Sequence, residues 1–291
     1  MILVGRIVKG IGGFYYVSTE HGVIECRARG KFRISNIVPI VGDYVDVETQ
    51  DLKDGFIVDI HDRKNQLVRP PVSNVDQAII TFSIVNPDLN RLQLDKMIIL
   101  AELNEIHPVI CINKIDLVSE DIYMPMYNLY RKLGYDIIAT SKYDGIGIDK
   151  LKTILKGKTS FFTGPSGVGK SSLINCIHGH ERQEIGDLSE KLNRGKHTTR
   201  NVELMPIDGG YVLDTPGFTS LNLDIDEKDL KKFYKDFQEF EADCRFNSCL
   251  HINEPNCGVK SAVENGLIDK TRYANYLSLY SELKANRRRK Y

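Results

Sequence analysis

The 291 residues read as a multidomain α/β chain: a small N-terminal β-barrel, a central open sheet flanked by helices, and a helical C-terminal unit built on a metal cluster. Short β-type segments crowd residues 1–68 with no helical periodicity among them. Over 72–222 buried strands alternate with helices around a glycine-rich loop, and from 223 to 291 aromatic residues at helical spacing flank three cysteines and a histidine.

Bulk properties narrow the setting. Lysine plus arginine and aspartate plus glutamate number 39 each, so no global field selects a polyanionic partner, and any nucleic-acid surface must come from local clustering. The opening Met1-Ile2-Leu3-Val4-Gly5-Arg6 lacks the layout of a secretion signal. No apolar run approaches the ~18 residues of a membrane span. Six cysteines in a chain of this length point to reduced thiols or metal ligands, and to a cytosolic setting.

In the first unit, segments 3–9, 13–18, 23–29, 44–49 and 56–61 have period-two or β-branched character. Gly12-Gly13, Glu20-His21-Gly22, Val41-Gly42-Asp43 and Lys53-Asp54-Gly55 supply the turns. Five short strands predict an OB-fold barrel, a fold that often carries oligonucleotides on one face. Arg27, Arg29, Lys31 and Arg33 alternate, so an extended 26–34 puts all four on one face as a stripe for phosphate. Phe32 or the Phe14-Tyr15-Tyr16 cluster is then available for base stacking; a solvated strand edge fits the same residues. Arg69-Pro70-Pro71 ends the unit.

The central unit carries the chemistry. Gly164-Pro165-Ser166-Gly167-Val168-Gly169-Lys170-Ser171 matches Gly-x-x-x-x-Gly-Lys-Ser/Thr, between an apolar strand at 160–163 and a helix opening at Ser172. Its glycines let backbone N–H groups and a helix N-terminus wrap an oxyanion. Lys170 is placed to reach β- and γ-phosphates, and the Ser171 hydroxyl to ligate Mg²⁺. A strand at 108–112 delivers Asn113-Lys114-Ile115-Asp116, the guanine-reading pattern. The Asp116 carboxylate accepts two guanine N–H groups that adenine lacks, Asn113 holds the loop, and the Lys114 stem covers the ring. The strand 136–139 ends in Thr140-Ser141-Lys142, like the loop whose backbone touches the guanine oxygen. GTP, rather than ATP, is the expected ligand.

Downstream lies Gly195-Lys196-His197-Thr198-Thr199, within a polar loop over 184–199 that reads as a first switch. Thr198 or Thr199 is expected to close on Mg²⁺ there, with Thr199 the candidate ligand beside Ser171. Then Tyr211-Val212-Leu213-Asp214-Thr215-Pro216-Gly217 gives a strand and Asp-x-x-Gly, with Asp214 on Mg²⁺ and the Gly217 amide at the γ-phosphate. The residue after it is Phe218, which cannot orient water, so intrinsic hydrolysis is expected to be slow and His197 is the catalytic candidate. The guanine motif precedes the phosphate loop, the reverse of the common order, which describes a circularly permuted P-loop GTPase.

In the C-terminal unit Leu230, Phe233, Tyr234, Phe237 and Phe240 fall at helical spacing within 226–241. Cys244, Cys249, His251 and Cys257 fit a closed tetrahedral Zn²⁺ site of structural type. Cys26, Cys111 and Cys176 are expected to be buried and inert. A last helix over 269–286 ends in Arg287-Arg288-Arg289-Lys290, either solvated or an RNA clamp.

Taken together, the barrel, the permuted motifs, the Gly-Lys-His-Thr-Thr switch and the Cys/Cys/His/Cys zinc domain resemble the bacterial RsgA (YjeQ/YloQ) family of small-ribosomal-subunit biogenesis GTPases across essentially the whole chain. That resemblance implies a monomeric cytoplasmic GTPase that binds the 30S subunit late in maturation and contacts 16S rRNA near the decoding region. It also implies hydrolysis stimulated by the subunit, followed by release, with His197 as the family's switch histidine. The residues alone also fit a nucleotide-gated RNA checkpoint whose hydrolysis is incidental, or a GTP switch with a protein partner.

Overall fold

The computed structural model describes residues 1–30, 32, 37–178, 202–213 and 221–290, the last three of these by backbone alone. Strands β1 (Ile2–Ile11), β2 (Phe14–Thr19), β3 (Gly22–Ala28), β4 (Tyr44–Thr49) and β5 (Asp54–Ile60) close into a barrel of order β1-β2-β3-β5-β4. Only the β3–β5 pairing is parallel. Alternation does the sorting: Leu3, Ile7, Val17, Ile24, Cys26, Val45, Val47 and Ile57 fill the interior. Arg69-Pro70 forms the turn of a small hairpin, β6 (Gln66–Val68) and β7 (Pro71–Ser73), which leads into the sheet of the central unit.

That sheet has the order β10-β9-β8-β11-β13-β12. Its parallel members are β8 (Gln77–Ser83), β9 (His107–Asn113), β10 (Asp136–Thr140), β11 (Thr159–Thr163) and β13 (Gly210–Leu213); β12 (Leu204–Ile207) is the antiparallel edge. Every residue of β8 is buried because helices cover both faces. On one side Ala78, Ile80 and Phe82 meet α1 (Arg91–Leu103) and α2 (Glu120–Lys132). On the other Ile79, Cys111 and Phe162 meet α3 (Ile148–Leu155) and α4 (Lys170–His178).

The C-terminal unit contains α5 (Lys235–Gln238), α6 (Gly258–Glu264) and α7 (Lys270–Lys290). The helical spacing over 226–241 marks its buried residues, since Leu230, Tyr234 and Phe237 are core. It does not make one helix: a 3₁₀ turn, Leu230–Phe233, is separated from α5 at Tyr234. Ring packing outweighs propensity, with the Tyr234 ring 5.0 Å from Phe237 and 5.1 Å from Tyr276.

Two buried arginines fasten the outer units to the sheet. Arg6 of β1 donates to Thr159 Oγ1 of β11 at 2.6 Å, to Asn74 O at 2.9 Å and to Gly42 O at 3.2 Å. Its guanidinium also lies over the rings of Tyr44 and Tyr211. Arg272 of α7 donates to Asp95 of α1 at 2.6 Å and takes both oxygens of Asp236 at 3.0 Å. Asp95 also accepts from Tyr130 at 2.9 Å and from Asn275 at 2.7 Å. Burial works against the Arg272 charge, but Asp95 and Asp236 hold the guanidinium ionised, well above the ordinary arginine range.

Candidate functional site

Because β8 to β11 and β13 run parallel, their carboxyl ends share one edge, where open α/β sheets bind ligands. β9 ends at Asn113 and β10 at Thr140; β11 ends at Thr163, immediately before Gly164. β13 ends at Leu213, the residue before Asp214 in sequence.

The glycine loop has the conformation its residues allow. Gly164, Gly167 and Gly169 have φ of 140°, 82° and 96°. A Cβ on Gly164 would fall 2.0 Å from Thr81 O of β8, so the loop lies directly on its neighbour strand. Val168 is buried, Pro165 and Ser172 are half-buried, and Ser166 and Ser171 are exposed. Leu173 N donates to Gly169 O at 2.9 Å, closing the first turn of α4. Lys170 Nζ donates to Gly164 O at 2.7 Å and Pro165 O at 2.6 Å, folded across the loop's own carbonyls. Burial pulls its ammonium below the usual lysine range.

Asn113 joins the guanine-type turn to the cradle. Its Nδ2 donates to Val168 O at 2.8 Å, and its Oδ1 accepts from Thr140 Oγ1 at 2.9 Å. Three loops on three strands thereby become one hydrogen-bonded unit. Lys114 has a left-handed φ of 61°, and its Nζ donates to Asn86 O at 2.5 Å. Asn86 lies in the β8–α1 connection, which no sequence motif marked. Asp116 is exposed on the 3₁₀ turn Ile115–Leu117. Ser141 is buried; its N–H donates to Ile146 O at 3.0 Å, its hydroxyl lies 3.2 Å from both the Asp144 carboxylate and the Asp144 N–H, and Lys142 is exposed. His197, Thr198, Thr199, Asp214, Gly217 and Phe218 lie outside the described residues.

The metal cluster is assembled. The ligand atoms of Cys244, Cys249, His251 and Cys257 lie within 4.8 Å of one another. His251 Nδ1 is 3.4 Å from Cys257 Sγ and 3.6 Å from Cys244 Sγ, so it faces the thiols. Its Nε2 is 3.0 Å from Glu241 Oε1, the outer carboxylate that orients a ligating imidazole. Glu254 accepts the N–H groups of Leu250, Ile252 and Asn253 at 2.9, 2.9 and 3.1 Å, and the Tyr273 and Tyr276 hydroxyls donate to His251 O and Leu250 O at 2.7 Å. Three thiols and an imidazole on a pinned backbone fit Zn²⁺, with no fifth protein donor in the set. Of the other cysteines, Cys26 and Cys111 are buried and Cys176 is half-buried.

The basic stripe departs from expectation. β3 ends at Ala28, Arg29 is ion-paired with Glu48, and Lys31 and Arg33 lie outside the described residues. Phe32 is only 6 % exposed, turned into the core, and cannot stack on a base. Tyr15 and Tyr16 are half-buried. At the other end of the chain Arg287 donates to Asp226 at 3.0 Å and to Glu227 at 3.2 Å, while the side chains of Arg288, Arg289 and Lys290 are outside the described set. No helix among the described residues is long and apolar enough to cross a membrane.

Known proteins match this arrangement. The RsgA GTPase family matches residues 60–224, and the RsgA N-terminal domain matches residues 4–57. The chain is 58% identical over 288 residues to the Small ribosomal subunit biogenesis GTPase RsgA of Caldanaerobacter subterraneus subsp. tengcongensis, across 99% of this chain and 98% of the relative. It is 49% identical over 288 residues to the protein of that name from Alkaliphilus metalliredigens, across 98% of this chain and 99% of the relative. Among solved structures it is similar to YloQ, described as a circularly permuted GTPase, with TM-score 0.83 and 40% identity over 98% of this chain and 96% of that one. YjeQ from Thermotoga maritima also gives TM-score 0.83 and 40% identity, over 97% of this chain and 99% of that one. Likeness of this extent settles membership, and the chain belongs to the RsgA family of small ribosomal subunit biogenesis GTPases.

Proposed function

We propose that this GTPase binds GTP between the 113–116 turn and the 164–171 cradle, and that the small (30S) ribosomal subunit stimulates its hydrolysis during late subunit maturation. The observation that carries the reading is the Asn113 side chain, which ties the guanine-type turn to Val168 O of the cradle and to Thr140. Such a unit fixes the separation between base and phosphate sites before the nucleotide arrives.

In this reading Asp116 takes the guanine edge, the Lys114 stem and Ile115 pack beside the ring, and Ser141 and Lys142 bound it. The amides from Gly164 through Ser172 receive the phosphates, and the Lys170 ammonium exchanges the neutral carbonyl acceptors of Gly164 and Pro165 for anionic phosphate oxygens. Ser171, Thr199 and Asp214 would hold Mg²⁺, which would supply positive charge to offset that of the phosphates. Gly217 senses the γ-phosphate and His197 positions the attacking water or accepts its proton. GDP then leaves the switch loops without their γ-phosphate contacts, and the grip on 16S rRNA loosens. The barrel and the zinc unit are the rRNA-binding ends, and the protein acts as a cytoplasmic monomer.

The test is GTP turnover with and without purified 30S subunits, for the wild type and His197→Ala. The expected result is slow turnover alone, strong stimulation by subunits, and loss of that stimulation in the variant. Turnover indifferent to subunits would overturn the ribosomal reading, and an unaffected His197→Ala would remove the role given to that residue.

A further inference from the structure

A row of three side chains crosses the outside of the barrel. Phe14 of β2 is the cross-strand partner of Arg27 of β3, and Arg27 is the partner of Phe56 of β5. Partners leave the same face of a sheet, and the adjoining Cys26 and Ile57 point inward to the core. The Arg27 guanidinium lies 4.5 Å from the centroid of the Phe14 ring, and Phe56 is 50 % exposed. Single exposed rings are ordinary on protein surfaces. A ring, a guanidinium and a second ring on three adjacent strands form a composed surface.

The charge around the row is sorted as well. Among the described residues Arg27 has no carboxylate ion pair, so the edge of its stacked guanidinium is open to an acceptor. Glu48, opposite Phe56 on β4, is held by Arg29. The acidic residues Glu25 and Asp54 are partners of one another two residues back along β3 and β5, which keeps phosphate to the Arg27 and Arg29 side of the row. Phosphate alone needs only cations. Rings beside a cation suit something with both a π-face and a negative backbone. In a duplex the base faces are hidden within the stack, whereas unpaired nucleotides offer them.

We propose that Phe14, Arg27 and Phe56 form a stacking platform for unpaired RNA nucleotides on the outward face of β2, β3 and β5. The proposal rests on the reading above that the barrel meets rRNA, and it specifies which face does so and in which state the RNA is read. Phe56 stacks on one base, while Arg27, braced by Phe14, takes the adjoining phosphate or base edge. The row replaces the stripe expected from residues 27 to 33: it runs across the strands instead of along one of them.

The chain has no tryptophan, so Phe56→Trp in the full-length protein creates a single reporter at the platform. We expect a short single-stranded oligoribonucleotide and purified 30S subunits to quench its emission and shield it from acrylamide. The same sequence as a duplex should leave emission unchanged. In the Phe56→Trp background, Arg27→Gln or Phe14→Ser should weaken single-strand affinity roughly tenfold, and Phe14→Tyr should restore it. Quenching by duplex equal to that by single strand overturns the proposal, as does an oligonucleotide or subunit seen bound by anisotropy or co-sedimentation while the tryptophan stays open to acrylamide. Failure of subunits to stimulate GTP turnover while single strands still quench would refute the ribosomal reading and leave the platform standing.

Discussion

Arg272→Ala probes how the C-terminal unit is held to the nucleotide-binding sheet. The wild-type guanidinium makes three charged hydrogen bonds, one to Asp95 and two to Asp236, and lies over the rings of Tyr130 and Tyr234. The side chains of Arg272 and Asp95 are each 2% exposed and that of Asp236 is 7%, so water cannot replace the lost donors. Asp95 keeps Tyr130 and Asn275, but Asp236 loses both bonds that Arg272 gave it. Removing one partner of a buried pair costs about 3–5 kcal/mol, and stranding Asp236 places this case near 4. Urea unfolding followed by far-UV circular dichroism reads the loss as a lower midpoint, with α7 melting ahead of the sheet. Arg272→Met combined with Asp236→Leu should regain part of it, because no charge is then stranded at that position. A cost below about 1 kcal/mol for Arg272→Ala, or a double variant no better than the single, would show that the carboxylates are solvated and the reasoning wrong.

Gly169→Ala puts a methyl 2.5 Å from Asn113 Nδ2 at a φ of 96°, so the Val168 bond must break; GTP affinity by calorimetry should fall roughly tenfold. Gly167→Ala, whose added atom meets only Pro87 at 3.7 Å, should be milder, and equal losses would refute the contrast. Burial holds Lys170 below the usual lysine range, and phosphate charge would raise it again. Nucleotide binding should therefore take up a proton at alkaline pH, with affinity falling as pH rises through the window between the free and bound pKa values. Calorimetry in two buffers of different ionisation enthalpy measures that uptake, and none at alkaline pH would refute it. Burial pushes the thiols of Cys26 and Cys111 up to about 12, so iodoacetamide at neutral pH should spare both. Chelation should add Cys244, Cys249 and Cys257 to the modified set by mass spectrometry and lower the helical signal of the C-terminal unit; labelling indifferent to chelator would count against zinc.

The parts legible in the sequence are those whose residues sit close together along the chain. The glycine loop, the Asn-Lys-Ile-Asp turn and the cysteine–histidine cluster each fall within a short window, because one short continuous segment supplies all the groups of each. The open sheet and the barrel were legible through periodicity. What could not be read is what folding brings together from afar: Thr140 on Asn113, Asn86 O under Lys114, and Arg272 on Asp95 across 177 positions. Side chains that meet at such separation leave no spacing to detect. The stripe from Arg27 to Arg33 misled for a related reason. Alternation along one face requires an extended chain, but β3 stops at Ala28 and Phe32 turns inward, while the exposed ring on this face, Phe56, comes from a strand well downstream.

The permuted order gains meaning from where the fastenings lie. Arg6 of the barrel binds Thr159, the first residue of β11, and the last residue of that strand, Thr163, precedes the cradle. Tyr211, under the same guanidinium, is the second residue of β13, the strand that ends just before Asp214. On the other side Asp95, the anchor for Arg272, sits in the second turn of α1, the helix that follows the loop holding Lys114. Each outer unit thus grips an element that adjoins one of the loops proposed to hold the nucleotide, within one strand or two helical turns of it. Extended strands in a sheet and hydrogen-bonded helices resist bending, so a displacement at the phosphate edge is passed along them more readily than absorbed within them. A barrel carried on the usual unpermuted order would hang from the chain before the phosphate loop with no such need to touch β13. Here the chain enters the sheet from the barrel and leaves it after β13 for the helical unit, and both exits are bolted back onto elements that lead to the proposed nucleotide loops.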